Sequence, residues 1–151
     1  MSSIPFIYKL FFLYIEPVSA LAGAFYAAFW PVEYVRDLSI PGSAFKPTLT
    51  TQNNMVLLQL ANLYLLFALN EHLVLSSTES LVTWRRLLFG LLVADFGHLY
   101  SMAPLGADVF WRVGDWNAMV WGSVGFVYIG ASMLMSFLAG LGLSAEKEKV
   151  A

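Results

Sequence analysis

The chain has 151 residues, of which 59% are hydrophobic and only 12% charged, with a mean hydropathy of +0.69. A soluble domain carries about 25% charged residues, so half that share places the chain among membrane proteins. A formal net charge of -2 leaves no basic excess to attract nucleic acid, and the absence of cysteine excludes disulfides, thiol catalysis and thiolate metal sites.

The first apolar run, residues 5–30, is too long for a cleavable signal and is interrupted by Glu16-Pro17, so it reads as a retained span. Glu16 falls near its midpoint, and Pro17 removes a backbone donor and frees a carbonyl one turn back. Residues 31–53 form a loop carrying Glu33, Arg36, Asp37 and Lys46. A loop of that length is usually a lid, a binding loop or an interfacial segment, and PVEYVRDL within it suits a short surface turn.

The second span, residues 54–75, is polar for a helix in lipid. Gln59, Asn62 and Asn70 fall within a sector of about 80°, and Tyr64 and Glu71 share another. At least one face must be covered by protein. After a turn at 76–80, the third span covers 81–102, with Trp84, Arg85 and Arg86 at its interfacial start. It contains LLFGLLVADFGHLYSM, in which Asp95 and His98 lie about 60° apart on one helix face. A second loop is broken by Pro104 and Gly106. The fourth span, 116–143, offers Gly122, Ser123, Gly125 and Gly130 for close packing, and a polar tail, 144–151, ends the chain. The expected fold is a single all-α membrane domain, a bundle of four transmembrane helices, with the lipid bilayer as its solvent and room for a homodimer.

Four spans put both termini on one side, together with Lys9, Arg85, Arg86, Lys147 and Lys149; Arg36, Lys46 and Arg112 lie on the other. The positive-inside rule then favours cytosolic termini. Lys147-Glu148-Lys149-Val150-Ala151 also matches the K-x-K-x-x pattern of endoplasmic-reticulum retrieval signals.

Depth organises the polar residues. Asn62 and Asp95 lie about 10–12 Å below the lumenal surface and Glu16 about 20 Å below it. Ionisable groups at such depths are costly, and their default reading is a site. A cavity in the lumenal half is expected to gather Glu16, Asn62, Asp95, His98 and Asn117, with Trp116 at its mouth and Tyr100 beside His98. Asp95 and Glu16 are the candidate proton donor and base, and His98 the residue that orients or relays. Asn62, Tyr100, Trp116, Asn117 and Glu71 are the candidate substrate-binding residues. Each has a structural alternative: Asp95 bridging helices, Glu16 bonding the carbonyl freed by Pro17, the asparagines linking spans, and Glu71 pairing with Arg85 or Arg86. No phosphate loop, nucleophile elbow or magnesium-binding aspartate motif occurs, so neither metal nor cofactor is expected. The chemistry on offer is acid–base work on a lipophilic small molecule.

FFLYIEP, QLANLYLLFALNE, RRLLFGLLVADFGHLY and WGSVGFVYIGAS resemble a family of small fungal four-span membrane proteins, mostly without an assigned function. The resemblance covers nearly the whole chain. It implies, for some members, epoxide opening on polyene α-pyrone polyketides, giving hydrated or cyclic-ether products of the aurovertin and citreoviridin type. More loosely, the pattern is similar to the sterol-isomerase and sigma-2-receptor fold and to fungal membrane terpene cyclases. No motif of those groups matches residue by residue, so isomerisation, cyclisation by protonation and non-catalytic lipid binding stand as alternatives.

Overall fold

The computed structural model describes residues 4–38 and 48–143. Lys46 and the lysine-rich tail fall outside the described residues.

Four helices are long and apolar enough to cross a membrane: α1 (Phe6–Phe29), α3 (Thr51–Ser76), α4 (Leu81–Ser101) and α5 (Ala118–Leu138). The chain is an integral membrane protein built as an all-α four-helix bundle. Between α1 and α3 the expected surface turn is instead a helix, α2 (Pro31–Asp37), which starts on Pro31 and buries Tyr34. Thr50 caps α3 by accepting the Asn53 amide at 3.1 Å, so the second span starts at Thr51 rather than at 54. Ser80 caps α4 by accepting the Thr83 amide. The last span stops at Leu138, short of 143, because Gly140 and Gly142 adopt φ of +81° and +73° and turn the backbone out of the helix.

The helices pack as two pairs, α1 along α3 and α4 along α5. At the end where α1 begins and α5 stops, the pairs meet in a plug of buried side chains: Phe11 and Phe12 of α1, Leu75 of α3, Trp84 and Leu88 of α4, and Phe137 of α5. Tyr8 donates to the Leu141 carbonyl at 2.9 Å and Trp84 Nε1 to the Thr78 carbonyl at 2.9 Å, so the polar tips in the plug are satisfied. Lys9 and Glu79 add an ion pair at the same end. Toward the α2 end the pairs stand apart and leave a cavity between them.

Two of the spans are not uniformly α-helical. A π-turn covers Phe11–Ile15 of α1, and another covers Trp121–Gly125 of α5. Each inserts one residue into the ladder and re-aims the side chains after it, a device common at functional sites. Gly125 permits the second: a β-carbon there would stand 2.7 Å from the Trp121 ring and 3.0 Å from the Trp116 ring.

Candidate active site

Glu16 follows the first π-turn directly, with its amide donating to the Phe11 carbonyl five residues back. The turn aims it inward, where it is only 5% exposed. Pro17 has no N–H to offer the Leu13 carbonyl, and His72 of α3 occupies that carbonyl instead, with Nδ1 at 2.7 Å. The expected bond from the Glu16 carboxyl to the freed carbonyl is therefore not made. Glu16 Oε2 is buried without a hydrogen-bond partner among the described residues.

Asp95, on α4, is 9% exposed, and its Oδ2 is likewise buried without a partner. The two acids converge on α5. A β-carbon on Gly130 would stand 3.5 Å from Asp95 Oδ2 and 3.8 Å from Glu16 Oε1, so the carboxyls flank one methyl-sized gap. His98, one turn along α4, faces the Ser123 backbone in the second π-turn and keeps Nε2 buried, without a hydrogen-bond partner among the described residues. No lysine or arginine pairs with either acid among the described residues.

The acids and His98 line a cavity of about 770 Å³. Its walls are largely apolar, with Leu60 and Phe67 from α3 and Phe126 and Val127 from α5. Its far end is polar and is roofed by α2. There Tyr26 donates to Asp37 Oδ2 at 2.6 Å, Arg36 Nε donates to Asp37 Oδ1 at 2.8 Å, and the Tyr34 and Tyr64 hydroxyls meet at 3.4 Å. The Arg36 guanidinium, then the Tyr26 phenol, holds the Asp37 carboxyl below its ordinary value. Burial pushes the Tyr34 phenol above its own, so Tyr34 stays a neutral hydroxyl.

Residues 1–144 match a family described as a domain of unknown function, DUF7704. The chain belongs to that family. No curated protein and no solved structure matches it.

Of the site residues expected from sequence, the DUF7704 bundle brings Glu16, Asp95 and His98 to one cavity. The substrate-binding set fares differently. Asn62 is exposed on the outer face of α3, because the inward face of that helix is the one bearing Tyr64, Ala68 and Glu71. Tyr100 is 82% exposed, two residues and about 200° around α4 from His98. Trp116 packs edge-on against Trp121, with centroids 4.9 Å apart, over Gly125 and outside the cavity. Asn117 is structural: its Oδ1 accepts the Val120 amide at 2.9 Å and its Nδ2 donates to the Asp37 carbonyl at 2.7 Å, tying α2 to the start of α5.

Glu71 is fully buried beside Glu16 rather than paired with Arg85 or Arg86, which are exposed. It sits behind Glu16, outside the cavity wall, with its carboxyl turned to the Glu16 carboxyl and no other hydrogen-bond partner among the described residues. Tyr26, Tyr34, Asp37, Tyr64 and Gly130 were not expected at the site. One signal was present: Glu16, Ser19, Ala20, Gly23 and Tyr26 recur at helical spacing on the face of α1 that lines the cavity.

Proposed function

We propose that this protein opens epoxides of a lipophilic, polyketide- or terpenoid-like substrate by carboxyl acid–base catalysis. The observation that carries the reading is the convergence of Glu16 and Asp95, from different helices, on one apolar cavity with no lysine or arginine paired to either among the described residues. A hydrocarbon substrate fits walls of leucine, phenylalanine and valine, and its reacting oxygen would lie near Gly130, between the acids.

In the proposed reaction Glu16, which has the Glu71 carboxyl behind it to share a proton with, is the acid. It gives its proton to the epoxide oxygen as that C–O bond breaks. Asp95, as carboxylate, takes a proton from water or from a substrate hydroxyl as the new C–O bond forms. Glu16 ends as carboxylate and Asp95 as acid, and proton exchange through His98 or a cavity water restores both. Attack by water gives a diol, and attack by a hydroxyl gives a cyclic ether. Neither outcome consumes an oxidant or a reductant. The resemblance to membrane epoxide hydrolases and cyclases supports the substrate class. Lys9, Arg85 and Arg86 support cytosolic termini, and the K-x-K-x-x match of Lys147 to Ala151 supports an endoplasmic-reticulum membrane.

The test is conversion of a polyene epoxide by membranes containing the full chain, in water labelled with heavy oxygen. Asp95→Asn and Glu16→Gln are each expected to lower turnover by about 100-fold or more while abundance and melting stay unchanged. Label uptake separates hydrolysis from internal cyclisation. Activity that survives both substitutions overturns the assignment, as does consumption of an epoxide-free alkene in place of the epoxide. A folded wild type that converts neither leaves a lipid-binding role.

A further inference from the structure

Gln59 and Asn62 stand on the outer face of α3, and neither has a hydrogen-bond partner among the described residues. The helix spans 26 residues, about 39 Å, and a hydrocarbon core of about 30 Å centred on it puts both carboxamides within about 7 Å of the midplane. Water does not satisfy them at that depth, and lipid tails offer neither donor nor acceptor.

Their positions form a pattern. Met55, Gln59, Asn62, Leu66, Leu69 and Leu73 recur at alternating intervals of three and four, and all six are exposed. That is the spacing of a coiled-coil seam. The seam lies opposite the inward face of the same helix, where Leu57, Ala61, Ala68 and Glu71 are buried against the bundle. Helix α3 thus carries two seams, and only the inward one is occupied by this chain.

We propose that the outer seam of α3 is the interface of a parallel homodimer. A carboxamide is donor and acceptor at once, so a row of them is complementary to itself. Membrane insertion gives every copy the same orientation, so two α3 helices meet in parallel and equivalent layers face each other across the two-fold axis. Gln59 then pairs with the partner's Gln59, and Asn62 with the partner's Asn62, at the same depth in both copies. A different protein would have to present hydrogen-bonding side chains at both depths, whereas a second copy does so by symmetry. Leu66, Leu69 and Leu73 supply the packing below them, and polar layers of this kind set register.

The chain contains no cysteine, so single introduced cysteines report without background. Leu66→Cys and Leu73→Cys in the full chain are oxidised in native membranes, with Phe89→Cys and Val93→Cys on the exposed face of α4 as controls. Covalent homodimers are expected from the α3 positions and not from α4, because a disulfide needs α-carbons within about 7 Å. Adding Gln59→Leu and Asn62→Leu, singly and together, is expected to weaken dimerisation on dilution into lipid, roughly tenfold for the pair. Both positions lie outside the packing within one chain, so the melting temperature of the bundle in detergent serves as the folding control. Any of four results overturns the proposal: no dimer from either α3 position, equal cross-linking at α4, cross-linking of α3 to a different protein, or dimerisation unchanged when both amides are gone.

Discussion

His72 Nδ1 lies 2.7 Å from the carbonyl oxygen of Leu13, the acceptor to which Pro17 has no N–H to offer. One contact between α3 and α1 thereby removes a structural duty from Glu16 and leaves its carboxyl to the cavity. It also fixes the ring: Nδ1 donates, so in the neutral form Nε2 is the acceptor.

That contact predicts a coupling. His72→Leu leaves a buried carbonyl unpaired and should destabilise the bundle by about 1–3 kcal/mol. Pro17→Ala restores an amide close to Leu13, so it should recover much of the loss in the double variant. Thermal unfolding of the two single variants and the double variant in one detergent measures the cycle. Additive losses would mean that His72 does not compensate for the proline.

Gly130 separates space from fold. A β-carbon there meets Asp95 Oδ2 and Glu16 Oε1 at ordinary contact distances, 3.5 and 3.8 Å, so Gly130→Ala should fold. Gly130→Val fills the gap between the acids and should lower epoxide turnover by about tenfold or more, by displacing the reacting oxygen, with little change in melting temperature. Equal turnover in Gly130→Val and wild type would place the reaction elsewhere in the cavity.

The roof has a pH dependence of known sign. Asp37 is held below its ordinary value by Arg36 and Tyr26, so the unfolded chain binds the proton more tightly than the folded one. The stabilisation it contributes is fully present above the unfolded value of about 3.9 and is lost as pH falls through the lower folded value. Acidification from pH 5 should therefore lower the melting temperature of the wild type more than that of Asp37→Asn. Parallel acid limbs in the two proteins would remove Asp37 from the stability of the roof.

Sequence alone determined the number of spans and their approximate limits, because hydropathy and a rise of about 1.5 Å per residue are properties of one helix at a time. Asp95 and His98 were legible together for the same reason, being three residues apart on one helix. Rotation about each helix axis was not legible. In water the apolar face of a helix points inward, but in lipid the outer face is apolar too, so no hydrophobic stripe separates inside from outside. Asn62 and Glu71 are equally plausible inward residues on paper, and only the packing of α3 on α1 turned Glu71 in and Asn62 out. The π-turns before Glu16 and around Ser123 were hidden as well, since they arise where a helix gains a residue to satisfy its neighbours. The tertiary structure therefore decided which acids share the cavity, and that α2, rather than a loop, closes its polar end.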